Sequence, residues 1–149
     1  GPSENWMALR DEAMHRAGVG TTRDMDSVIT GVFLRSWRSP AYTILEKINI
    51  WRGKVSSRRY LWDKVLHTDL VERIILLEIP VYFFVGQHDY TTGYGLARDY
   101  FQKIKAPLKG FYTFNSSAHS PLFEEPQRAR KILREDVLAL KNSMADEIK

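Results

Sequence analysis

Ile79-Pro80-Val81-Tyr82-Phe83-Phe84-Val85-Gly86-Gln87-His88-Asp89 is the stretch on which the fold of this chain turns. From Ile79 to Val85 it is the longest apolar run, rich in β-branched and aromatic residues and without polar alternation. Such a run reads as a strand covered on both faces. Gly86-Gln87-His88-Asp89 then breaks it with turn chemistry, leaving Asp89 just past the strand's carboxyl end.

Downstream, Thr91, Thr92 and Gly93 open a helix that places Ala97, Tyr100, Phe101 and Ile104 on one face. Lys103 and Lys105 suit its last turn and Pro107 lies just beyond. Gly110-Phe111-Tyr112-Thr113-Phe114 reads as a second strand, followed by a polar loop from Asn115 to Ser120. A last helix begins around Glu124, Glu125 and Pro126, with Ala129, Ile132, Leu133, Val137 and Leu140 on its inner face. Beyond Ser143 the polar tail is expected to fray. Strand, helix and strand make a βαβ unit, so the two strands are expected to run parallel. Asp89 and His119 then emerge at the same sheet edge, where open α/β sheets bind ligands. A carboxylate beside an imidazole there can fix its tautomer and stabilise its protonated form.

Upstream, from residue 4 to 78, the apolar period is helical. Trp6, Leu9, Ala13 and Ala17 share a face, with Gly18 placed to end that helix. Asp26 or Ser27 can cap a second helix carrying Ile29, Val32, Phe33 and Trp37, which Pro40 stops. A third segment, Tyr42 to Trp51, is expected to end at Gly53. Ser56 or Ser57 would cap a fourth, with Leu61, Trp62, Val65 and Leu66 inward, and Leu70, Val71, Ile74 and Ile75 continue the pattern towards Pro80. The fold class is therefore α/β: a helical segment over 4–78 followed by a β-α-β-α unit with two parallel strands over 79–149. Gly1-Pro2-Ser3 (1–3) reads as residue left by tag cleavage.

Composition narrows the function. With 44% apolar and 27% charged residues in 149, the chain can build a core. It has no cysteine, which removes thiolate and disulfide chemistry and fits a cytoplasmic location. No apolar run approaches the ~20 residues of a membrane span, so no membrane partner is expected. The net charge of +4 is diluted by 18 interspersed acidic residues, and the basic stretch Arg52 to Arg59 reads as a solvated helix entrance, so no nucleic-acid partner is expected either.

At residues 79–126 the sequence becomes more specific. Ile79 to Asp89 looks like the strand and turn that deliver the triad acid in α/β-hydrolases. Ser117-Ala118-His119-Ser120-Pro121-Leu122-Phe123-Glu124-Glu125-Pro126 is similar to that family's histidine loop and the start of its last helix. The chain resembles the C-terminal part of capped serine hydrolases of the proline iminopeptidase-like group, and Tyr42 to Trp62 resembles their cap helices. The resemblance implies that residues 4–78 are a substrate cap, that Asp89 is the triad acid and that His119 is the general base. It implies hydrolysis of an ester, amide or peptide substrate in an intact protein, with no cofactor.

The family's order is nucleophile, acid, histidine, yet no Gly-x-Ser-x-Gly pentapeptide occurs in the chain. The expectation is a fragment inactive by itself; the alternative is a non-catalytic binding or oligomerisation module that keeps the fold but not the chemistry. Ser116, Ser117 and Ser120 flank His119 too closely to reach attack geometry, and read instead as loop-setting residues. His88 with His119 and Asp89 lacks the spacing of a metal motif. Glu12 and Glu46 could meet a substrate amine, although solvated helix carboxylates are the commoner outcome. Trp37, Tyr42, Trp51, Tyr60 and Trp62 could line an acyl or aromatic pocket; most are expected to fill a helical core and one or two to face the active-site cleft. The first strand has only one partner in view. Its open edge is expected to pair two copies as a homodimer, unless the cap folds over it.

Overall fold

The computed structural model describes residues 9, 12–15, 17, 19–25, 27 and 29–148. It is a mixed α/β structure. Two parallel strands, β1 (Val81–Gly86) and β2 (Lys109–Phe114), form its sheet, with Val81 opposite Lys109 and Gly86 opposite Phe114. Both faces are covered, which explains the unbroken apolar run. Tyr82 and Phe84 join Tyr112 and Phe114 on one face, under Ala129, Ile132 and Val137. Phe83 and Val85 join Phe111 on the other, under Tyr94, Ala97 and Phe101.

The crossover helix α4 (Tyr94–Lys103) buries Phe101 and is followed by buried Ile104, as its apolar spacing requires. Lys109 reaches back to close its C-terminal end: the Nζ donates to the carbonyls of Phe101 and Ile104 at 2.9 and 2.7 Å.

Upstream, the described residues include α1 (Leu34–Arg38), entered through a π-helical turn at Ile29–Phe33, α2 (Ile44–Leu66) and α3 (Leu70–Arg73). The expected break at Gly53 is absent. Thr43 and Glu46 form a reciprocal capping box that starts α2, and it runs through Gly53 and both serines to Leu66. An internal glycine costs a helix only about 1 kcal/mol, which one cap offsets. Leu61, Trp62, Val65 and Leu66 are exposed rather than inward. Of the five aromatics expected mostly to fill a core, only Trp51 is half-buried, meeting the Phe33 ring edge-on at 4.8 Å. Past α3 the chain is extended rather than helical, and Leu76 bridges Lys105 in parallel ahead of the strands. β-Branched Ile74 and Ile75 and the approach to Pro80 favour that conformation. Trp6, Gly18 and Asp26 lie outside the described residues.

The C-terminal end departs from expectation in two ways. After α5 (Pro121–Glu124) and α6 (Pro126–Ile132), a π-helical turn at Leu133–Val137 rotates the helix face. Leu133 therefore points outward, and Asp136 turns inward and is fully buried; Leu140 lies past the helix end, exposed in a turn at φ 51°. Its carboxylate accepts the Tyr112 hydroxyl at 2.8 Å and the backbone N–H groups of Ser143 and Met144. Burial and this carboxylate push the Tyr112 phenol well above its ordinary value. The tail is docked rather than frayed. Asp146 N–H donates to Phe111 O at 2.8 Å, Asp146 Oδ2 accepts from Thr113 N–H, and Asn142 Nδ2 donates to Lys109 O. These bonds fill the outer edge of β2.

The outer edge of β1 is different. Val81 and Gln87 donate to Leu108 and Phe114 carbonyls, so the backbone groups of Tyr82 and Phe84 face away from β2. No strand pairs with them among the described residues. No helix among the described residues is long and apolar enough to cross a membrane.

Candidate active site

Asp89 and His119 meet. The turn after β1 delivers Asp89, the loop after β2 delivers His119, and Asp89 Oδ2 lies 2.9 Å from His119 Nδ1. The parallel register makes this possible, because both chains leave the sheet at the same edge.

The Asp89 carboxylate is buried and nearly saturated. Oδ1 accepts the backbone N–H groups of Thr91 and Thr92 at 2.9 and 3.1 Å, and Oδ2 also accepts the Thr92 hydroxyl at 2.7 Å. Burial pushes this carboxyl up. The hydrogen bonds from His119 and from the Thr92 side chain and backbone, with the imidazolium charge, outweigh it and hold the carboxyl below its ordinary value. His119 is 42% exposed by its side chain, against 7% for Asp89. One imidazole nitrogen is thus engaged with a buried anion while the ring stays open to solvent.

Gly86 sets how closely the two turns approach. A Cβ there would sit on the carbonyl oxygens of Ala118 and Ser117. His88 N–H donates to the same Ser117 carbonyl at 3.0 Å, so the histidine loop crosses directly over the end of β1.

Two carboxylates from the next helix hold that loop. Glu125 Oε1 accepts Ser116 N–H at 2.9 Å and Ser117 Oγ–H at 2.7 Å, and Glu124 Oε2 accepts Ala118 N–H at 2.9 Å. Ser117 is fully buried with its hydroxyl committed to Glu125, a loop-setting role. Sequence reasoning placed Glu124 and Glu125 only as a helix start. Their acceptor role depends on how the loop folds back, which no local pattern reveals. The Thr91 and Thr92 contacts were readable, since an Asp followed by two residues with free N–H groups forms an Asx-turn.

Glu46 is spent on the α2 cap, where the Thr43 N–H and hydroxyl each donate to Oε2 at 2.8 Å. The backbone bond first, then the hydroxyl, holds its carboxyl below the ordinary value. His88 contributes no side-chain contact to the pair, and no group of three metal-ligating side chains occurs among the described residues.

The chain is 30% identical over 85 residues to a Bacillus subtilis (strain 168) protein named Probable aminopeptidase YbaC. The match covers 57% of this chain and 27% of that protein. This fits a hydrolase-type relationship. No family model matches the chain, and no solved structure does.

Proposed function

We propose that Asp89 and His119 are the acid and the general base of a serine-type α/β-hydrolase acting on an ester, amide or peptide bond. The contact between Asp89 Oδ2 and His119 Nδ1 carries this reading. With Nδ1–H held by the carboxylate, Nε2 is the basic nitrogen. It takes the proton of an attacking serine hydroxyl and later gives it to the leaving group, while Asp89 stabilises the imidazolium. The similarity to a probable aminopeptidase supports a hydrolytic reaction.

The nucleophile in this reading comes from residues outside this chain, and residues 4–78 are the substrate cap. One observation supports additional protein packing against β1: its outer edge is unpaired among the described residues.

A fluorophosphonate that labels activated serines tests the reading. The intact protein encoded by the natural reading frame is expected to be labelled at a serine beyond these 149 residues, and His119→Ala to abolish the label. Labelling of Ser116, Ser117 or Ser120 would contradict it. Absence of labelling in the intact protein would favour a binding module.

A further inference from the structure

The loop that carries His119 is not held by the sheet alone. Its three preceding residues each give a donor to an adjacent carboxylate, two to Glu125 and one to Glu124. Glu124 differs from Glu125 in one respect. Its second oxygen, Oε1, accepts the backbone N–H of Arg23 at 2.6 Å, 101 residues away in sequence. The same upstream segment reaches the acid turn, where Thr91 Oγ1 lies 3.5 Å from Gly20 O, and Thr91 N–H is itself a donor to Asp89. Residues 20–25 therefore touch the acid turn directly and reach the histidine loop through Glu124, and Met25 within them is buried. Beside the histidine loop they leave a cavity of about 550 Å³, lined by Thr22, Arg23, Asp24, Arg35, Ser116 and Glu124 among others.

On this geometry, and resting on the proposed acid–base pair, we infer that Glu124 is a positioning residue for His119, coupling the histidine loop to the upstream strap at residues 20–25. Two N–H donors on one carboxylate form charge-assisted bonds, roughly twice as strong as neutral ones. The Ala118 amide is adjacent to His119, so a shift there is passed directly to the imidazole. Misplacement of a catalytic group by about 1 Å can cost on the order of 100-fold in rate. A strap that moves on substrate entry would thus reach His119 through a single side chain.

Glu124→Gln is the test, because a carboxamide keeps the shape but offers only one acceptor atom. In the purified chain, the ¹⁵N shifts of His119 report which ring nitrogen carries the proton. The wild type is expected to hold the Nδ1–H tautomer. Glu124→Gln is expected to raise the Nε2–H fraction severalfold and to speed amide exchange at Ala118 about tenfold. Protection at Gly110 and Tyr112, whose amides face β1, should be unchanged, which separates local loosening from global unfolding. Asp89→Asn serves as reference. If it shifts the tautomer while Glu124→Gln does not, the coupling inference fails and the acid–base reading stands. If neither variant shifts it, both fail.

Discussion

The α-carbon of Gly86 lies so close under the Ala118 carbonyl that a Cβ would fall 1.9 Å from its oxygen. The end of the acid strand and the histidine loop are packed backbone on backbone. The contact sits three residues before Asp89 and one before His119, so the separation of the two functional side chains is set by a glycine.

Gly86→Ala is therefore expected to separate the turns. Overpacking of this kind destabilises by about 1–3 kcal/mol, and backbone atoms cannot yield as a side-chain tip does. Urea unfolding of the purified chain should show a lowered midpoint, and the His119 ¹⁵N spectrum should lose its preference for Nδ1–H. An unchanged midpoint with an unchanged spectrum would mean that the close approach has no energetic consequence.

Acid stability should report the Asp89 environment. Its folded-state carboxyl titrates below the ordinary value of 3.8. The unfolded chain consequently takes up the proton first as pH falls. The stabilisation is complete above that ordinary value and disappears as pH drops through the lowered one. Thermal unfolding followed from pH 6 to pH 2 should show a steep acid limb in the wild type and a shallower one in Asp89→Asn. Parallel limbs would place the sensitivity elsewhere.

How much of this was legible beforehand differs along the chain. The strands, the helix between them and the meeting of Asp89 with His119 follow from local signals: an unbroken apolar run, a helical period and parallel pairing. Gly53 suggests a break in the apolar pattern of Ile44–Leu66, but the Thr43–Glu46 capping box starts a helix that one glycine cannot outweigh. A period of 3.6 puts Leu133 and Leu140 inward, but the π-helical turn rotates Leu133 outward and the helix ends before Leu140. Asp136 and Asp146 could not be foreseen as anchors of the tail, since their partners Tyr112 and Thr113 lie 24 and 33 residues away. The clamp by Glu124 and Glu125 has the same cause: it depends on tertiary placement rather than on pattern.

The exposed edge of β1 should make the isolated chain associate. Its Tyr82 and Phe84 backbone groups have no strand beside them among the described residues, and such an edge is a template for a second copy. Sedimentation equilibrium is expected to show a concentration-dependent dimer. A monomer at millimolar concentration would show that the edge is protected in solution.

The central claim is that Asp89 and His119 work as an acid–base pair in hydrolysis, and steady-state kinetics of the intact protein test it most directly. Aminoacyl and short-chain acyl p-nitrophenyl substrates should be turned over, with kcat/KM reduced about 10⁴-fold by Asp89→Asn and about 10⁶-fold by His119→Ala. The double variant should be little worse than His119→Ala alone, because residues acting as a unit are not additive. Turnover that persists within a fewfold of wild type in both variants would contradict the account.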